Sequence, residues 1–325
     1  MNWKSLAERI LAGKPAGRGE ARRLLESSDD ELLAALDGAF TLRKHFFGRG
    51  VQLHVIQNAR SGSCTENCAY CSQSARSNCK IKKYPLQSVT AILRGAKAAH
   101  ALKALRYCIV TSGRGPRQKD LEIVMEAVRK IKAKYKIQIC VSLGSISLEQ
   151  AELLKKAGVD RFNHNLETSA RFYPSICTTH TFQDRVATVR AVKAAGLELC
   201  CGALIGMGET IEDRVDLAFR LREVKADSIP VNFLNPRPGT RLESLKRIGA
   251  RDALRALAMF RFVNPDREIR VAGGREACLG PMQALALYAA NSIFTNCYLT
   301  YAGQGYQADI AMIESAGFHV SDTVC

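Results

Sequence analysis

The sequence predicts an α/β protein: a TIM-type (β/α)8 barrel with an N-terminal helical extension. Three observations carry this reading. Strand-like and helix-like segments alternate in order, one pair in roughly every 30 to 40 residues, as a parallel sheet with crossover helices requires. Eight strand-like segments can be counted, the number that closes such a barrel. A chain of 325 residues with 47% apolar composition can fill one large core, and a barrel of this length is commonly one domain. No Gly-x-Gly-x-x-Gly opens a helix, so a dinucleotide-binding open sheet fits less well. The expected organisation is a helical extension over 1–48, the barrel over 49–300, and a C-terminal helix and tail over 301–325.

In the extension, Leu6, Ile10 and Leu11 share one helical face, and Ser28 with Asp29 and Asp30 reads as an N-cap and acidic first turn. Residues 51–59 alternate as a strand and lead into a polar, cysteine-bearing loop. The remaining strands are expected at 104–113, 136–144, 159–167, 197–206, 227–235, 267–274 and 293–297. Helices are expected between them at 88–102, 120–135, 148–158, 181–196, 210–224, 251–263 and 281–292, with one more at 309–317 in the tail. Gly158 and Gly196 close their helices, as a left-handed residue after the last turn should.

Composition narrows the function. Twelve cysteines in a long chain whose N-terminal residues show no apolar signal core point to metal or thiol chemistry rather than disulfides. No run is long enough to span a membrane, so the expected setting is the cytoplasm, with no membrane partner. The net charge of +16 could attract nucleic acid or an anionic substrate. Its lysines and arginines, such as Arg129, Lys130, Lys132, Lys134 and Lys136, are scattered over helices without interleaved aromatics, and no nucleic-acid partner is expected.

Cys64, Cys68 and Cys71 form a C-x3-C-x2-C run on a short polar loop. Soft thiolates suit zinc or an iron–sulfur cluster. A structural zinc site wants four protein ligands, and this triplet supplies three. Either a 4Fe-4S cluster keeps one iron open for a small molecule, which the incomplete triplet favours, or Cys79 completes a zinc knuckle.

The strands carry polar residues where a barrel lumen normally holds Val, Ile or Leu. Residues two apart on a strand face the same way. Arg106 and Cys108 therefore share a face, as do Asn163, Asn165 and Glu167; Cys140, Cys200, Asn232 and Arg270 also lie within strands. Unpartnered buried polar groups cost about 1–3 kcal/mol each. So many together imply a bound ligand and a second metal centre. A single buried cysteine would read as core, and His164, Cys177, Cys278, Cys297 and Cys325 are expected to be non-ligands.

Seven segments carry a resemblance to one family. CTENCAYCSQS at 64–74, RYCIVTSGRGP at 106–116, FNHNLET at 162–168, CCGALIGMGET at 200–210, IPVNFL at 229–234, RVAGGRE at 270–276 and AANSIF at 289–294 resemble, in order and spacing, the biotin synthase family of radical SAM enzymes. The likeness runs from about residue 3 to residue 320. It implies a sulfurtransferase that converts dethiobiotin to biotin. Cys64, Cys68 and Cys71 would hold a 4Fe-4S cluster whose open iron chelates S-adenosylmethionine, and reductive cleavage would yield a 5′-deoxyadenosyl radical. Cys108, Cys140, Cys200 and Arg270 match the ligands of a sulfur-donating auxiliary 2Fe-2S cluster. Tyr70, Arg106, Asn165 and Glu167 would contact S-adenosylmethionine, and Asn163, Asn165 and Asn232 dethiobiotin. The resemblance also implies a homodimer and an electron donor such as flavodoxin or ferredoxin. Glu167 stands where the family carries Asp, and the Cys200–Cys201 doublet leaves a larger auxiliary cluster open. Two rivals stand beside this reading: another radical SAM enzyme, such as a carbon-skeleton mutase or cluster-maturation protein, and a zinc-bound RNA-binding protein.

Overall fold

The computed structural model describes residues 1–296 and 298–321, so Cys297 and Cys325 lie outside the described residues. Three helices open the chain: α1 (Trp3–Leu11), α2 (Arg18–Leu25) and α3 (Leu32–Phe47). Asn2 caps α1 by accepting the Ser5 N–H at 3.0 Å. The Ser28 cap is not used. Asp29 instead pairs with Arg251 and Arg255, and α3 begins three residues later than Asp29, behind Glu31. The buried faces of α1 and α3 meet closely: a Cβ on Gly38 would sit 2.7 Å from the Trp3 carbonyl oxygen. Trp3 is buried and stacks obliquely on Phe262, with ring centroids 6.2 Å apart, fastening the extension to the barrel's outer layer.

The barrel strands are β1 (Gly50–Arg60), β2 (Arg106–Thr111), β3 (Gln138–Ser142), β4 (Arg161–Asn163), β5 (Glu198–Cys200) continued by β6 (Ala203–Ile205), β7 (Ser228–Phe233), β8 (Glu268–Val271) and β9 (Ser292–Phe294). Every neighbouring pair is parallel, and β9 returns to β1, closing the ring. Counting β5 and β6 as one broken strand gives the expected eight. The crossovers are α4 (Val89–Ala101), α5 (Gln118–Lys134), α6 (Leu148–Lys156), α7 (Tyr173–Ile176), α8 (Phe182–Ala194), α9 (Ile211–Glu223), α10 (Ala250–Val263) and α11 (Arg275–Leu279). A helix α12 (Tyr306–Ser315) and a short strand β10 (His319–Val320) follow β9, and β10 adds to β1 outside the ring.

Three segments depart from the sequence expectation. The strand expected over 159–167 is regular only over Arg161–Asn163; beyond it the chain pairs again at a single bridge, Glu167 with Ala203, where Glu167 adopts a left-handed backbone at φ 68°. The strand over 197–206 breaks at Gly202, where any Cβ would meet the Pro230 carbonyl oxygen at 1.9 Å. Residues 281–292 do not form an α-helix; Gly280–Tyr288 winds as a 3-10 helix behind Gly280 and Pro281, which lacks an N–H for the ladder.

Register then stacks the lumen. Cys108 lies directly opposite Cys140 on β2 and β3, Asn163 opposite Cys200 on β4 and β5, and Pro230 opposite Arg270 on β7 and β8. Cys108, Cys140, Cys200 and Ile56 form a small inner cluster separate from the main apolar core.

Candidate active site

The cysteine loop leaves the end of β1 and is pinned at both sides. The Cys64 N–H donates to the Gln73 carbonyl at 3.1 Å, and the Ala75 N–H to the Cys64 carbonyl at 2.7 Å. The Ala69 N–H reaches the Ile176 carbonyl at 2.8 Å, and Arg241 donates to the carbonyls of Asn67 and Ile176. Cys71 lines the main cavity at the barrel mouth; Cys71 and Cys68 also line a smaller recess with Arg76 and Thr240. Burial pushes the thiols of Cys64 and Cys71 up, Cys71 to about 11.

Cys79 does not join them. Its Sγ lies 3.0 Å from the Pro238 carbonyl oxygen and it lines neither cavity, which removes the four-thiolate zinc knuckle. Cys177 was set aside in the sequence, yet its Sγ lies 3.8 Å from Cys68 Sγ and 3.3 Å from His180 Nδ1, whose ring also bonds Glu66. The hydrogen bond from Cys68 lowers the Cys177 thiol, against burial and with help from His180 and Thr179; the same bond and burial raise Cys68.

Deeper in the lumen, Cys140 lies beside Cys108 in the register, and both pack with Cys200 in one buried cluster. Arg270 Nη1 lies 3.7 Å from Cys200 Sγ, and its Nη2 donates to Ser228 Oγ at 2.9 Å. Cys201 faces the other way, into the main core, as adjacent strand residues must. Above these thiols the cavity is walled by Tyr70, Asn163, Asn165, Glu167 and Asn232. Burial raises the Glu167 carboxyl, opposed by Arg185 and by hydrogen bonds from Tyr70 and Asn165. Asn163 Nδ2 reaches Ser142 Oγ at 3.3 Å. Asn232 is more committed: it donates to the Ala203 carbonyl at 3.0 Å and accepts from the Gly273 N–H at 2.9 Å and the Tyr298 hydroxyl at 2.8 Å.

Residues 60–221 match the radical SAM superfamily, and residues 230–319 match the biotin and thiamin synthesis associated domain. A biotin synthase of Salinibacter ruber is 51% identical over 316 residues, 97% of this chain and 88% of that protein. A biotin synthase of Halalkalibacterium halodurans is 52% identical over 320 residues, 98% and 96% of the two chains. The chain belongs to the biotin synthase family. The crystal structure of methylornithine synthase shares the fold, with a TM-score of 0.86 at 20% identity over 97% of both chains.

Members of the biotin synthase family are radical SAM enzymes, and this one works with a 4Fe-4S cluster and S-adenosylmethionine, consistent with an auxiliary 2Fe-2S cluster. The residues present fit those groups. Cys71 and Cys68 face adjoining recesses, and the loop carrying Cys64, Cys68 and Cys71 brings no fourth loop thiol with them. In the lumen, three buried thiols packed in one cluster sit beside an arginine whose Nε is buried without a hydrogen-bond partner among the described residues.

Arg106 is the correction. It does not line the cavity; its guanidinium lies at the opposite end of the lumen, bonded to Gln138, to Glu198 at 3.3 Å and to Glu268 at 3.4 Å. It shares a strand face with Cys108, but two residues along a strand is about 7 Å, enough to put it in a different layer. His164 is buried, with Nε2 unpartnered among the described residues, and burial lowers its pKa, so it stays neutral. Sequence reading missed Tyr298 and Arg185. Arg185 sits on α8 yet reaches inward to the Asn165 carbonyl at 2.8 Å, and nothing in its helical spacing marks it.

Proposed function

We propose that this chain inserts sulfur into dethiobiotin to give biotin, with Cys64, Cys68 and Cys71 holding the 4Fe-4S cluster and Cys108, Cys140, Cys200 and Arg270 the auxiliary cluster. The observation that carries the reading is that one cavity has Cys71 and Tyr70 on its wall and Cys108, Cys140 and Cys200 at its base. Together the bound cofactors supply an organic radical that removes hydrogen from unactivated carbon, and sulfide to replace it. The protein's own part is positional, and orientation of this kind is worth several kcal/mol. Tyr70, Asn165 and Glu167 would bind S-adenosylmethionine by its polar edges. Asn163, whose Oδ1 has no hydrogen-bond partner among the described residues, would accept from dethiobiotin, while Asn232 chiefly braces Tyr298 and Gly273. Leu204, Phe233 and Phe294 on the same wall would exclude water.

The setting would be the cytoplasm and the assembly a homodimer, which the family resemblance supports. A flavodoxin or ferredoxin would deliver electrons, and the net charge of +16 favours an acidic carrier. Because Cys201 points into the core, a 2Fe-2S auxiliary cluster fits better than one recruiting both cysteines of the doublet.

The test is anaerobic reconstitution with iron and sulfide quantitation and Mössbauer spectroscopy on wild type and Cys140→Ala. The variant should keep the 4Fe-4S signal and S-adenosylmethionine binding but lose the second cluster and all biotin formation. Full activity in Cys140→Ala would sink the sulfur-donor assignment.

A further inference from the structure

At the base of the barrel, beneath the three lumen thiols, the strands send in a charged layer that the reaction as described does not use. Its centre is Glu268 on β8, which is buried. Arg161 Nη1 donates to Glu268 Oε2 at 2.6 Å, and Arg106 Nη1 approaches the same oxygen at 3.4 Å. The other oxygen, Oε1, accepts from Arg270 Nη2 and from Ser292 Oγ at 2.9 Å, and His54 Nε2 lies 3.3 Å away. Three buried guanidiniums thus converge on one buried carboxylate; the second carboxylate, Glu198, has 43% of its side chain exposed and meets Arg106 and Arg161 from the rim. Burying surplus cations costs several kcal/mol per ion unless an anion is close. As cluster ligands, Cys108, Cys140 and Cys200 would be thiolates and supply that anionic charge, Cys200 Sγ lying 3.7 Å from Arg270 Nη1.

We infer that Glu268 is a positioning residue for the auxiliary cluster: it clamps Arg270 by Nη2 so that Nη1 faces Cys200, and with Arg161 it sets the charge beneath the thiolates. The spacing explains the clamp. Glu268 and Arg270 are two apart on one strand and face the same way, so the carboxylate lies one layer below the guanidinium it holds. Arg161, opposite Cys140 in the register, holds the second carboxylate oxygen and keeps Glu268 from swinging away. Such partners behind a ligand tune both retention and potential of a cluster.

The inference rests on the assignment of Cys108, Cys140, Cys200 and Arg270 as auxiliary ligands. It is tested on the reconstituted full-length enzyme by measuring the auxiliary cluster's reduction potential and its rate of removal by a chelator. Glu268→Gln removes a negative charge and should move the potential up; Arg161→Gln removes a positive charge and should move it down. In Glu268→Gln the cluster should be lost about 10- to 100-fold faster, with 4Fe-4S content unchanged. A structural disturbance alone would not give shifts of opposite sign. Equal potentials and equal loss rates, or shifts of the same sign, overturn the proposal. Should Glu268→Gln fail to fold, Arg161→Gln and Arg106→Gln decide it: both should lower the potential, and no shift in either overturns it. A wild-type enzyme that binds no second cluster would overturn the ligand assignment itself, a result distinct from unchanged variants of an enzyme that does.

Discussion

Cys177 and Cys68 lie with their sulfurs 3.8 Å apart, while Cys177 also meets His180 and Asn67. Proximity of this kind invites the idea of a fourth protein ligand. The loop supplies its set without it: Cys68 and Cys71 sit within one hydrogen-bonded turn, Cys71 N–H to the Cys68 carbonyl at 3.0 Å, and with Cys64 they make the three thiols the site calls for. Cys177 also already holds contacts to His180 and Thr179, a local network that orders the loop from behind. Cys177→Ala should therefore leave iron and sulfide content at the wild-type level, and Cys68→Ala should lose the 4Fe-4S share. Equal iron loss in the two variants, measured side by side after anaerobic reconstitution, would make Cys177 a ligand.

The helix α9 shows how one element ties the rim of the site together. Thr210 caps it, and Asp213 three residues on returns the bond, accepting the Thr210 N–H at 2.8 Å. The same carboxylate accepts from Ser169 Oγ at 2.5 Å and Arg171 Nε at 3.0 Å, joining α9 to the chain that follows Glu167. Burial would raise Asp213, but the bonds from Arg171, Ser169 and Thr210 outweigh it and hold the carboxyl at about 2. A folded pKa below the unfolded value of about 3.9 stabilises the fold above that pH, and the contribution is lost as pH falls from about 4 toward 2. Asp213→Asn should cost about 1–3 kcal/mol near neutral pH. Urea melts of the metal-free protein should show the gap to wild type closing below pH 4; a gap independent of pH would rule the mechanism out. The helix was legible in the sequence, which took Thr210 as its first residue, because helical periodicity is local. The link from Asp213 to Ser169 was not, since it depends on where the chain goes after β4 stops short.

Across the whole molecule, legibility follows the same division. Periodicity located the eight barrel strands because each is one local pattern, and same-face spacing placed Cys108, Asn163, Asn165 and Glu167 around the lumen. Depth along the barrel axis was not readable: Arg106 shares a face with Cys108 yet belongs to the charged base, because strand stagger decides the layer. The partners of Glu268 arrive from β1, β2, β4, β8 and β9, a convergence that only closure of the sheet creates. Net charge, by contrast, is a property of the whole surface and survives folding unchanged. With 47 basic against 31 acidic residues, the chain should attract an acidic electron carrier by long-range steering. Raising ionic strength shortens the screening length from about 10 Å at 0.1 M to about 3 Å at 1 M. Stopped-flow reduction by a flavodoxin or ferredoxin should therefore slow by about tenfold or more between low and high salt. Reduction by a small uncharged photoreductant should change little over the same range, since it feels no steering. Equal salt sensitivity of the two would mean that the basic surface has no part in electron delivery.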